Sequence, residues 1–241
     1  MTTFTFRPGT IDRGIYATVI EANEYRLPDH FEADDVILDI GAHIGSFSFA
    51  VLERGSRRVV AVEAEAANYD AAVRHLDAYI RRGEIRVIHG AVWRSDPNDD
   101  QLSFSGYPLS DDGIRLNTGG GNVWTASGPE LPKLALDDLV TEVAAEGRRV
   151  RLIKLDCEGS EWPILYTSRT LHLVDEICGE FHERGTFAAS PSYEHDLFSR
   201  WECTPAALSS FLTASGFRVS WHSHRDRYRR RAPLGLFFAS R

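Results

Sequence analysis

The chain has 241 residues, a net charge of −8, and 43% hydrophobic against 26% charged residues. That is enough chain for one well-buried core and too apolar for wholesale disorder. An acidic chain is a poor generic nucleic-acid binder, and no apolar run approaches the ~18 residues of a membrane span.

The opening MTTFTFRPGTID lacks the basic region and apolar core of a signal peptide. Cys157, Cys178 and Cys203 are too scattered for a disulfide framework or a CxxC metal site, and read as reduced thiols. The expected setting is cytoplasmic, with no nucleic acid and no membrane as partner. Arg outnumbers Lys by 25 to 2, a bias expected of a GC-rich bacterial genome rather than of a function.

One domain over 1–241 is expected. Residues 1–33 have no clear period and read as an extension or lid carrying Tyr16, Tyr25, His30 and Phe31. The run 36–40 (VILDI) is apolar, bounded by turn residues, and predicts a buried strand. A helix over 47–53, a strand over 59–62, a helix over 68–82 and a strand over 85–88 follow. Residues 93–131 break the pattern with Ser, Gly, Asn, Asp and Pro. They predict an inserted loop or hairpin, with Tyr107, Asn122 and Trp124 either walling a pocket or anchoring the insertion.

Alternation then resumes. A helix is predicted near 136–145, a strand over 151–155, a helix near 160–166 and a strand over 174–181. After an irregular stretch, 183–203, come a helix over 205–215 and strands over 217–221 and 234–239. Strands alternating with helices predict an α/β fold, a mostly parallel sheet covered on both faces. The last two strands, joined by a polar loop of about a dozen residues, need no crossover helix and suit an antiparallel pair at the edge.

The first strand runs into Asp39-Ile-Gly41-Ala-His43-Ile-Gly45. Glycines there let a backbone approach a ligand or turn with positive φ. The dinucleotide fingerprint GxGxxG would need a middle glycine, and His43 stands in its place. A side chain there crowds a pyrophosphate, so the loop suits a ligand without one, such as S-adenosylmethionine. Glu63 closes the second strand, where a carboxylate can take both ribose hydroxyls. The bland reading, a tight strand-to-helix turn, is weakened by an Asp, two glycines and a downstream Glu at the expected strand ends.

The stretch VILDIGAHIGSFSFAVLERGSRRVVAVEAEAANYDAAVRHL resembles the cofactor half of class I S-adenosylmethionine-dependent methyltransferases. LALDDL and LIKLDCEGSEWPIL resemble signatures of the FkbM family, the second being the more specific. The resemblance covers roughly residues 34–182. It implies a Rossmann-like seven-stranded sheet with an antiparallel last strand, and methyl transfer, most often to a hydroxyl of a sugar, polyketide or other natural product.

Carried over, Asp39, Gly41 and Gly45 would line the methionine and ribose part, with Ala42, His43 and Ser46 beside them. Glu63 would hold the ribose, with Ala64 next to it. Ala91 and Val92 would approach the adenine, and Asp156 would border the cofactor. His43 departs from the family's common Asn, and Glu63-Ala-Glu65 from its usual Glu-Pro.

Asp156-Cys-Glu158-Gly-Ser160-Glu161 ends one strand and starts a helix. Glu180 and His182 end the next strand. Ligands gather at the carboxyl ends of strands in open α/β sheets, so these residues should share a mouth with Asp39 and Glu63. His182 has the natural pKa for a base, with Asp156 or Glu180 to orient it or take the proton. Glu158 joins the catalytic candidates.

Mg²⁺ on these carboxylates is a rival reading, but the irregular spacing favours a metal-free base. Ser160 as a helix cap, with Glu161 complementing the helix dipole, is the bland reading.

Residues 218–231 hold six Arg and one acid, which suits either a solvated loop or a dock for an anionic partner such as a carrier protein or a phosphorylated substrate. His222 and His224 read as an exposed pair. The expected partner is a small-molecule acceptor. N-methylation of an amine, a nicotinamide oxidoreductase and a cofactor binder without catalysis are the competing readings.

Overall fold

The apolar run Val36–Ile40 forms a strand with all five residues buried. The computed structural model describes residues 4–98, 100–106, 116–124, 128–144, 147–184, 198–225 and 230–241. In chain order, helix α1 (Asp12–Tyr16) runs into a π-helical turn (Ala17–Glu21) and is followed by β1 (Val36–Ile40), α2 (Ser46–Glu53), β2 (Arg58–Glu63), α3 (Ala66–Arg81) and β3 (Ile85–His89). Next are β4 (Ala91–Trp93), β5 (Lys133–Ala135), α4 (Leu136–Val143), β6 (Val150–Leu155), α5 (Glu161–Thr167), β7 (Val174–His182), α6 (Pro205–Ala214), β8 (Arg218–Arg225) and β9 (Arg231–Ser240).

Seven strands make one sheet in the order β3-β2-β1-β6-β7-β9-β8. β9 runs antiparallel to both neighbours, and the pairs from β3 to β7 are parallel. This is the sheet expected from the sequence, with β9 slotted inside β8. Alternation along β1 divides the core. Val36, Leu38 and Ile40 join one apolar cluster with Leu139 of α4, Ile164 of α5 and Leu212 of α6. Ile37 faces the other cluster, with Phe47 and Val51 of α2 and Leu76 of α3. Asp39 shares the Ile37 face, because side chains two apart on a strand point the same way. Its neighbour across the β1–β6 register is Lys154.

Local chemistry accounts for several element ends. Pro205 occupies the first turn of α6, and the Thr204 hydroxyl accepts from Ala207 N–H at 3.2 Å. β8 and β9 run further into the arginine-rich stretch than the sequence suggests. β8 is a sheet edge with mostly exposed side chains, so no apolar alternation marks its length.

The N-terminal extension contains α1 and the π-helical turn, which no period announced. The insertion begins and ends in β4 and β5, which pair in parallel rather than as a hairpin. Isolated antiparallel bridges, Ser103 to Glu130 and Ser105 to Asn122, hold its described interior. Trp124 is buried and packs edge-on against Phe198, so it anchors the insertion. Tyr107 and residues 185–197 lie outside the described residues. Among the described residues, no helix is long and apolar enough to cross a membrane.

Candidate active site

The strand order reverses between β1 and β6, and crevices form at such points. A cleft of about 300 Å³ opens there, lined by residues at or just beyond the carboxyl ends of β1, β2, β3, β6 and β7. The loop after β1 is its floor. Gly41 has φ +79°, and a Cβ there would stand 1.8 Å from the Asp156 carbonyl oxygen. Only glycine lets β1 and β6 approach this closely. Gly45, at φ +87°, turns the chain into α2, with Leu76 behind it. It shapes the loop but is not on the cleft wall.

Ala42, His43 and Ser46 are on the wall. His43 has φ +52°, and Glu158 across the cleft has φ +55°. A left-handed backbone at a residue other than glycine stores strain, and such strain gathers at functional sites.

Glu63 reaches the cleft from the end of β2. Its carboxylate accepts from the backbone N–H of His43 at 2.7 Å and of Glu65 at 2.8 Å. Burial pushes its pKa up, and those two N–H groups oppose the shift. Lone pairs remain for a diol. Ala64, Ala91 and Val92 supply a wall of small apolar side chains.

Asp39 departs from the expectation that it lines the cleft. It is fully buried beneath the floor, accepts from the Ser48 hydroxyl at 2.7 Å, and sits 3.4 Å from Lys154 Nζ. Its alternation on β1 turns it toward α2, away from the ligand. Lys154 is the residue the sequence reading missed. It donates to the Gly41 carbonyl, stands 3.9 Å from Asp156 Oδ2, and lines the cleft. Burial alone would lower its pKa, but Asp39 and Asp156 raise it on balance. One of only two lysines, in the apolar strand RLIKL, was the available signal.

The acidic mouth is built from the ends of β6 and β7. Asp156, Glu158 and Glu180 line the cleft, and Tyr25 donates to Asp156 Oδ2 at 2.9 Å. Tyr25 therefore brings the N-terminal segment to the site. Phe31 is instead a core residue, His30 pairs with Glu32 on the surface, and Tyr16 packs against Phe4 and Phe6.

His182 is buried behind this mouth, among carboxylates. Its Nδ1 is 3.0 Å from Glu161 Oε1, and its Nε2 lies 3.3 Å from Glu158 and 3.5 Å from Glu180. Burial alone would lower its pKa, but Glu158 and Glu161 outweigh that and carry it to about 10. That direction favours the imidazolium, which has no lone pair to receive a proton, and so weighs against the expectation that His182 is the base. Glu158 is raised as well, for a different reason. Burial pushes it up to about 7, with His182 pulling down against Asp156 and Glu180.

Glu161 sits in the first turn of α5, where the bland reading puts it, but it does more than complement the helix dipole. It is fully buried and also accepts from Gly159 N–H at 2.9 Å. Ser160 makes no cap bond. His224 is not idle either: its Nε2 lies 2.9 Å from Glu180 Oε1.

Three buried polar atoms of cleft residues, Ser46 Oγ, Ser160 Oγ and His43 Nδ1, have no partner among the described residues. Unmet groups of this kind mark where a polar ligand belongs.

A family model described as the methyltransferase FkbM domain matches residues 39–218. The chain belongs to the FkbM methyltransferase family. It is therefore an S-adenosylmethionine-dependent methyltransferase, as the glycine loop, Glu63 and the small apolar wall suggest. No curated protein sequence matches it.

Among solved structures it is similar to an FkbM methyltransferase from Methylobacillus flagellatus KT, with a TM-score of 0.51 and 17% identity. That match covers 92% of this chain and 47% of the other, so the chain spans about half that protein's length. It is also similar to a precorrin-6y C5,15-methyltransferase from Geobacter metallireducens GS-15, with a TM-score of 0.43, 12% identity, and 98% and 92% coverage. At these identities the likeness concerns the fold. The matched region runs from the last two residues of β1 through β7 to the first residue of β8.

Proposed function

We propose that this FkbM methyltransferase transfers a methyl group from S-adenosylmethionine to a hydroxyl of a small molecule, with Glu158 taking the proton. The observation that carries this reading is Glu158 itself. It is a cleft-lining carboxylate pushed up to about 7, beside an imidazolium, at the end of β6. A base works best when its pKa lies near the working pH.

The cleft suits the methyl donor. Ser46, at the first turn of α2, offers an unmet hydroxyl and free backbone N–H groups to a carboxylate. Glu63 offers acceptors to a diol, and Ala64, Ala91 and Val92 offer a flat apolar wall. When bound, S-adenosylmethionine supplies a methyl group already activated by its sulfonium, so the difficult chemistry belongs to the cofactor.

The chain's own task is alignment and proton removal. Glu158 and Glu180 hold the acceptor hydroxyl at the mouth, and Glu158 receives its proton. His182, fixed by Glu161, stays charged and steadies the neighbouring carboxylates. Lys154 and Tyr25 fix Asp156.

The test is calorimetric titration with S-adenosylmethionine, S-adenosylhomocysteine and NAD, then a screen of hydroxylated and amine acceptors. Micromolar binding of the first two but not NAD, with turnover on a hydroxyl that is lost in Glu158→Gln, supports the reading. Turnover confined to amines overturns the hydroxyl assignment. NAD binding alone overturns the cofactor.

A further inference from the structure

Four segments far apart in sequence meet at His43. Arg7, ahead of α1, grips the fully buried Asp12 with two N–H groups, each at 2.8 Å. Burial would raise the Asp12 pKa, but the bonds from Arg7 and Thr118 overcome it and hold the carboxyl down at about 2. An ionised carboxylate only accepts hydrogen bonds. The Thr118 hydroxyl, 2.8 Å from Asp12 Oδ1, therefore spends its one proton there.

Toward His43 Nε2, 2.9 Å away, that hydroxyl has only lone pairs to offer. Nε2 is then the nitrogen that carries a proton. His43 is 9% exposed and lines the cleft, and its Nδ1 has no partner among the described residues. A proton on Nδ1 would bury a charged ring with an N–H that meets no acceptor, which is costly. Burial accordingly lowers the His43 pKa, to about 4, with Arg7 and Lys154 also pressing down and Asp12 and Asp156 opposing. The neutral ring presents Nδ1 as a bare acceptor.

The backbone N–H of His43 also holds Glu63 Oε2 at 2.7 Å, so the residue belongs to the patch that Glu63 offers to a diol. Asn68 ties the same patch to the insertion, donating to the Thr118 carbonyl at 2.8 Å and accepting from Arg7 at 2.6 Å. We infer that the Asp12–Thr118 relay locks His43 in its Nε2–H tautomer so that bare Nδ1 accepts a hydrogen bond from a ribose hydroxyl of the cofactor. This rests on the S-adenosylmethionine reading above. It makes His43 a specificity residue for the adenosine half, held by the N-terminal segment and the insertion together.

The test begins with the full chain carrying ¹⁵N-labelled histidine. At pH 7 one ring should show a protonated Nε2 and a pyridine-type Nδ1, and S-adenosylhomocysteine should shift that Nδ1 signal while leaving Nε2 protonated. The second arm measures binding of S-adenosylhomocysteine and its 2′-deoxy and 3′-deoxy analogues to the wild type, His43→Asn and His43→Gln. An Asn oxygen stands in for Nδ1, whereas Gln keeps only the donor at the Nε2 position.

Loss of the contacted hydroxyl should weaken binding about tenfold in the wild type and His43→Asn, and less than about twofold in His43→Gln. Equal penalties in all three proteins, or a protonated Nδ1 in the wild type, overturn the assignment. A folded wild type that binds no S-adenosylhomocysteine overturns the cofactor reading as well. Binding with equal penalties overturns the His43 contact alone.

Discussion

Glu161 Oε1 accepts from two N–H groups of His182, the backbone N at 2.6 Å and ring Nδ1 at 3.0 Å. One buried carboxylate thereby fixes a strand end and the charge of the ring that ends it. Removing the partner of a buried ion pair typically costs about 3–5 kcal/mol, since the other charge is left without compensation. Glu161→Ala should lose stability on that scale in urea denaturation. A loss under about 1 kcal/mol would mean that Glu158 and Glu180 alone suffice to hold the imidazolium.

The same ring sets a pH dependence of folding. The folded pKa of His182, about 10, lies above the ordinary histidine value of 6.5. Its stabilisation is therefore fully present below about 6.5 and is lost as pH rises through about 10. The stability difference between wild type and His182→Gln should shrink across that window in denaturation series. A difference that stays constant from pH 6 to pH 10 would contradict the charged ring.

Glu158 gives the rate its own pH limb. Turnover with a hydroxyl acceptor should rise with pH through an apparent pKa near 7, where Glu158 loses its proton. Glu158→Gln should lower kcat by about 10²–10⁴ and leave S-adenosylhomocysteine affinity nearly unchanged. His182 pulls the Glu158 pKa down, so His182→Gln should move the rising limb to higher pH. A limb that stays in place would mean that another group takes the proton.

Much of this architecture was legible because burial on both faces leaves apolar runs such as VILDI and RLIKL, and because turn residues bound them. Glu63 could be placed on the cleft from its strand end, and Ala91 and Val92 from the family resemblance. What pattern reading did not reach were contacts between distant segments. Nothing near Asp12 announces a partner at Thr118, and nothing near Glu161 announces His182. Sequence position assigned His182 an ordinary histidine pKa, and folding adds Glu158 and Glu161 to the neighbouring Glu180, which raises it. The strand face of Asp39 was readable by counting from Ile37, yet its partners, Ser48 and Lys154, needed the packed sheet.

Gly41 offers a direct test of the floor. An Ala there would need φ +79° and would drive its Cβ into the Asp156 carbonyl oxygen. The left-handed conformation alone costs roughly 1–2 kcal/mol, and overpacking adds about 1–3 kcal/mol. Gly41→Ala should therefore lose at least about 2 kcal/mol of stability and its S-adenosylhomocysteine binding, by thermal melts and calorimetry. A variant that binds like the wild type would show that β1 and β6 can separate without harm to the cleft.

Metal use is decided by the same proton that removes His182 from the role of base. Asp156, Glu158 and His182 bring one donor atom each to within 4.8 Å of one another, a spacing a divalent cation can exploit. Yet Nδ1 of His182 is tied to Glu161, and Nε2 faces Glu158 at 3.3 Å and Glu180 at 3.5 Å. A cation would have to displace that proton before it found a lone pair. Protein treated with a chelator should then turn over its acceptor at an unchanged rate, and Mg²⁺ should produce no calorimetric signal at neutral pH. A rate that falls on chelation and returns with added Mg²⁺ or Mn²⁺ would assign this cluster to a cation and make the acceptor's proton the metal's to acidify.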